Sequence, residues 1–147
     1  MKSLTLFEQG AKLVPADLDA LEKRLGRHLP IEYREFLLNS NGGIPPDDEA
    51  SVTFSSHSGQ IISTTIERFL SVSENAEVSI FHSYTYYTRN ARLHDCFIPF
   101  AMDIANNLFV LTEDGQVFFW DHELEDANPI SPVVSSFQMF LELLKAG

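Results

Sequence analysis

The chain has 147 residues, about one domain's worth, with 44% hydrophobic and 21% charged residues, proportions that exclude wholesale disorder. Twenty-one acids against ten bases leave a net charge of −11, which disfavours a nucleic-acid partner because a phosphate backbone would be repelled. No stretch approaches the roughly 18 apolar residues of a membrane span.

The acidity is uneven. Residues 76–147 carry ten acids and three bases, and between Arg92 and Lys145 there are nine acids and no Lys or Arg. Such a balance speaks to solubility or to attraction of a basic partner, not to fold. The single cysteine, Cys96, can form neither an internal disulfide nor a thiolate zinc site by itself, which fits a reducing compartment. The start, Met1-Lys2-Ser3-Leu4, has neither the apolar stretch nor the cleavage site of a signal peptide, so a cytoplasmic protein is expected. With no linker or repeat, residues 1–147 read as a single domain with its core over about 15–146.

A helix is expected over Pro15–Leu25, where Leu18, Leu21 and Leu25 recur at helical spacing, with Asp17 and Asp19 in the first turn and Gly26 as the stop. A second helix starts near Pro30, carries the stripe Leu29, Tyr33, Phe36 and Leu37, and ends at Asn41-Gly42-Gly43. Ser51–Ser56 and Gln60–Ile66, broken by His57-Ser58-Gly59, read as two short strands or a hairpin, and Glu67–Val72 as a further strand. Residues 75–90 favour a helix, with Val78, Phe81, Tyr84 and Thr88 on one side, although Tyr84-Thr85-Tyr86-Tyr87 also has strand propensity. Phe97–Ala101, Leu108–Thr112 and Gln116–Asp121, separated by turn residues, form an antiparallel meander. In the third run Val117 and Phe119 oppose Phe118 and Trp120, so both faces are covered. Asp121–Pro132 reads as an acidic loop. A last helix starts near Ser135, whose spacing to Gln138 is that of a capping box, and buries Phe137, Phe140, Leu141 and Leu144. The sum is an α+β fold, helices packed on a mixed or antiparallel sheet.

Catalytic constellations are thin. His94-Asp95-Cys96 places an imidazole near a thiol at the start of a strand, but a small buried Cys explains it more simply, since reactive thiols need an electropositive site. Asp121-His122-Glu123 can converge at most two side chains on one strand face, short of a closed metal site. Asp103, Asn106 and Asn107 suit a turn better than a calcium loop. Asn41-Gly42-Gly43 lacks the Lys-Ser/Thr step of a phosphate loop, and Trp120 suits core packing better than a binding hot spot. No catalytic, cofactor or metal residues are therefore assigned.

Three stretches in order carry a family resemblance: Leu29 to Leu37 ending in Asn41-Gly42-Gly43; Ile98-Pro99-Phe100-Ala101-Met102-Asp103 through Asn107; and Gly115 through Glu123, followed by Ser136-Phe137 and Phe140-Leu141. Together they resemble the SUKH superfamily, the SMI/KNR-type domains, over about residues 15–146. The resemblance implies helices on a mixed or antiparallel sheet. It also implies a non-enzymatic role, in bacteria that of an immunity protein that neutralises a cognate toxin domain, often a nuclease. The alternative is a regulatory or scaffold interaction domain, like the fungal relatives. Joined to the charge pattern, it directs attention to two acidic segments as the surface for a basic toxin domain: Asp47, Asp48 and Glu49, and Glu123, Glu125 and Asp126.

Overall fold

The computed structural model describes residues 4–122 and 129–147. Helices α1 (Pro15–Leu25) and α2 (Ile31–Asn39) open the fold, and a 3-10 turn (Asp47–Glu49) follows. Then come β1 (Ser51–Ser55), β2 (Ile61–Phe69), α3 (Ile80–Asn90), β3 (Ile98–Asp103), β4 (Leu108–Leu111), β5 (Val117–Trp120), β6 (Ile130–Val134) and α4 (Phe137–Leu143). The strands lie in chain order in one six-stranded sheet, and every neighbouring pair is antiparallel. The fold is α+β, as expected.

The first two helices are tied by charge as well as by their leucines. Leu18, Leu21 and Leu25 are buried, and Gly26 ends α1 in the left-handed region with φ 68°. Arg34 on α2 reaches back to Glu22 at 2.8 Å and Asp19 at 3.0 Å. The Glu22 carboxylate also accepts from the Leu29 N–H at 2.6 Å, so one side chain organises the whole connection.

Helices α2 and α4 bring their rings onto one face of the sheet. Tyr33 lies 5.1 Å from Phe137, and Phe140 lies 5.0 Å from both Phe100 on β3 and Phe109 on β4. Tilted and edge-on pairs of this kind add to plain burial. The Tyr33 side chain is fully buried, and its hydroxyl has no hydrogen-bond partner among the described residues. The opposite face holds Leu108, Val110 and Trp120, covered by Leu93 and by Tyr87 of α3, whose ring is 5.5 Å from the indole. Trp120 is thus a core residue, and Val117 and Phe119 do point to the other side.

Several boundaries differ from those expected. Glu67–Val72 is not a separate strand. Its first three residues continue β2, and Leu70 adds one more backbone bond, its N–H donating to the Phe100 carbonyl of β3 at 2.8 Å. β2 is long because it serves two partners: Ile61–Thr65 pair with β1, and from Ile66 onward it pairs with β3 across a register shift. The segment read as a loop up to Pro132 contains the start of β6. Pro132 is tolerated there because β6 stands at the edge of the sheet, paired among the described residues with β5 alone. Pro30 stands just before α2 instead of inside it. Ser136, one residue later than expected, caps α4 by accepting from the Met139 N–H at 3.1 Å.

Asn41-Gly42-Gly43 does not terminate α2, which stops at Asn39 before an extended Ser40. The three residues have a tertiary task. Gly43 bridges to Phe69, and Asn41, 2% exposed, donates to the carbonyls of Ala11 and Val72 and accepts from the Val72 N–H. Both glycines have positive φ, 69° and 122°.

The split pairing of β2 bends the β1–β2 hairpin over the sheet. Phe54 on β1 packs 5.3 Å from Phe119 and 6.1 Å from Phe109. At the hairpin tip, the His57 ring nitrogen Nδ1 lies 2.9 Å from the Ser131 hydroxyl on β6. The first and last strands are therefore linked although four others separate them in the sheet.

Candidate functional site

The acidic residues singled out in the sequence divide into two groups. Pro45-Pro46 cannot continue a helix, and the chain turns once as a 3-10 element in which the Glu49 N–H donates to the Pro46 carbonyl at 2.9 Å. Asp47 and Asp48 are exposed there and Glu49 is half-buried. The turn immediately precedes β1, at one end of the strand order. Glu123, Glu125 and Asp126 lie outside the described residues, between β5 and β6.

The other constellations weighed in the sequence resolve locally. His94, Asp95 and Cys96 form a turn and not a strand start, since β3 begins at Ile98 and the Phe97 N–H donates to the His94 carbonyl. His94 Nδ1 accepts from the Cys96 backbone N–H at 3.1 Å, so the imidazole meets the cysteine's main chain. Burial raises the Cys96 thiol above its ordinary value, and the Asp95 charge adds to this while Arg27 opposes it. His122 Nδ1 lies 2.8 Å from the Asn107 side-chain oxygen. Among the described residues no three His, Cys, Asp or Glu side chains are grouped to hold a metal.

What the sequence did not point to is a cavity of about 310 Å³ where the bent hairpin parts from the main sheet. Ile62 and Thr64 of β2 form one wall together with the hairpin tip at His57. Asp103 and Asn107, at the β3–β4 turn, form the second, and Asp121, Pro129 and Ser131 the third, with Phe119 beneath. The His57–Ser131 contact fixes the width by tying tip to edge strand.

Asp103 is the polar centre of this cavity. Its residue is 1% exposed. One carboxylate oxygen accepts from the backbone N–H groups of Ala105 at 2.9 Å and Asn107 at 2.8 Å, which closes the β3–β4 turn. The other accepts from the Thr64 hydroxyl at 2.8 Å and the Asn107 amide at 3.3 Å. All four donors are neutral. Among the described residues the cavity has no Lys or Arg in its lining. Its surface is thus negative, with hydroxyls and amides around two carboxylates. Such a lining suits a cation or a donor-rich group and is poorly suited to an anion.

These residues come from four segments up to 74 positions apart, and no local spacing announces them. The sequence signals were Asp103 and Asn107, visible as turn residues, and Asp121, visible as an acid beside His122.

The sequence profile of the SMI1 / KNR4 family (SUKH-1) matches residues 12–143, nearly the whole chain and every helix and strand of the fold. The chain belongs to this family. No curated protein matches it by sequence. Among the described residues no helix is long and apolar enough to cross a membrane.

Proposed function

We propose that this SUKH-1 chain is an immunity-type binding protein that neutralises a basic toxin domain by docking on it, without catalysis, in the cytoplasm. The observation that carries the reading is the family match over residues 12–143, because such domains are commonly the immunity partners in toxin systems. The charge supports it. A net −11 steers a basic partner toward the chain and accelerates encounter. Arg34 and Arg27, two of the few cations, pair with Asp19, Glu22 and Asp95, away from the exposed Asp47 and Asp48 of the 3-10 turn.

Asp47, Asp48 and Glu49 form one part of the proposed docking surface, and Glu123, Glu125 and Asp126 the other. The test is to reverse Asp47, Asp48 and Glu49 together to Lys and to follow association with the purified toxin domain. Association should slow by about tenfold or more at low salt, and the difference should shrink as salt screens it. The exposed Asp47 and Asp48 can be reversed without disturbing the fold, and circular dichroism of the triple variant checks that the half-buried Glu49 can be too. An association rate equal to that of the wild type at low salt removes this turn from the interface.

A further inference from the structure

The cavity between the bent hairpin and the β3–β6 sheet is built around the buried Asp103 carboxylate, and among the described residues its lining holds no Lys or Arg. Asp103 is held by neutral donors alone, and neutral hydrogen bonds stabilise a carboxylate without removing its field. Asp121 adds a second carboxylate to the wall. In a recess partly shielded from water, that field is stronger than at an open surface. Around it stand acceptors on more than one side, the Thr64 and Ser131 hydroxyls and the Asp121 carboxylate, while Asp103, whose oxygens already take four donors, contributes its charge. Phe119 and Ile62 give an apolar floor.

We propose that this cavity receives an arginine side chain of the protein partner. The methylene stem would lie on Phe119 and Ile62 while the guanidinium meets Asp121 and the Asp103 end of the recess. Arginine fits better than lysine. Its planar head presents five donors to acceptors on different walls and gives up water more readily than an ammonium does. An arginine buried in a pocket of matching charge is a common anchor of protein interfaces. The proposal deepens the immunity reading, and it gives the docking surface a specific socket in addition to its diffuse acidity.

The cavity can be tested without the partner. The full chain, labelled with ¹⁵N, is titrated with N-acetyl-arginine amide and, in parallel, with the citrulline analogue, which has nearly the same shape but no charge. The arginine compound should shift the backbone resonances of Thr64, Asn107 and Ser131 in a saturable way, and the citrulline compound should bind about tenfold more weakly or worse. Two variants sharpen the result. Asp121→Asn keeps the shape and removes a charge. Ala105→Arg places the chain's own guanidinium at the exposed rim of the β3–β4 turn. Both should weaken the response by about tenfold. No shift at these positions, an equal response to citrulline, or an unchanged response in both variants overturns the proposal.

With the toxin domain, Ala105→Arg should weaken the complex to a similar extent. An unchanged complex, with the wild type still neutralising, rejects the socket and leaves the immunity reading standing. Arginine binding to a chain that forms no toxin complex does the reverse.

Discussion

Replacing Tyr33 by Phe removes one oxygen from the middle of the aromatic core and nothing else. The ring would keep its neighbours Phe36, Phe100 and Phe137, at 6.3, 6.0 and 5.1 Å between centroids. The hydroxyl it loses is fully buried and makes no hydrogen bond among the described residues. A buried polar group without a partner costs about 1–3 kcal/mol of desolvation, so Tyr33→Phe should stabilise the protein by about 1 kcal/mol or slightly more. For a chain of this size that corresponds to a rise in Tm of roughly 2–4 °C per kcal/mol. Urea unfolding followed by circular dichroism gives the free energy, and a thermal scan gives the Tm. The alkaline limb supplies an independent check. Burial raises the Tyr33 phenol above its ordinary 10.0, so the folded state keeps a proton that the unfolded state releases. The wild type must therefore lose stability as pH climbs past about 10, and Tyr33→Phe should lose less over the same range. A destabilisation of more than about 1 kcal/mol in the variant, with the alkaline slope unchanged, would show that the hydroxyl has a partner and that the reasoning is wrong.

Two further outcomes follow from the fold. Gly42→Ala should destabilise severely, by more than about 2 kcal/mol. Its φ of 69° is strained for alanine, and the added Cβ would stand 2.6 Å from the Leu70 carbonyl oxygen and against the Ser71 hydroxyl. Gly26→Ala shares the positive φ but meets no atom within 4 Å, so it should cost only about 1 kcal/mol, and equal losses in the two would refute the steric part of the account. Cys96 should react slowly with a disulfide reagent at pH 7. The thiolate is the nucleophile and burial raises the thiol above its ordinary 9.0, so the rate should keep rising beyond pH 9, and a midpoint below pH 8 would contradict this.

The helices and the meander were legible because each is written in local periodicity. Leu18, Leu21 and Leu25, or Phe137, Phe140 and Leu141, fall on one face whatever the rest of the chain does, and all are buried. The misread segments are those whose conformation depends on distant partners. β6 follows an acidic run and holds Pro132, features of a loop, yet its edge position lets it pair with β5. Glu67–Phe69 looked separate because nothing local shows that β2 changes partner at Ile66. Asn41-Gly42-Gly43 carries the composition of a helix stop, but its shape answers to Phe69, Leu70 and Val72, nearly 30 residues on. The cavity is the extreme case. Charge counting located acidic stretches along the chain, whereas the recess arises from a strand that pairs twice and a hairpin that bends to meet β6.

The central claim is direct neutralisation, and co-expression with the product of the reading frame immediately upstream tests it most directly. Cells producing that product should lose viability alone and survive when this chain is present, and the two proteins should co-purify as a one-to-one complex. Survival without a complex would contradict direct neutralisation.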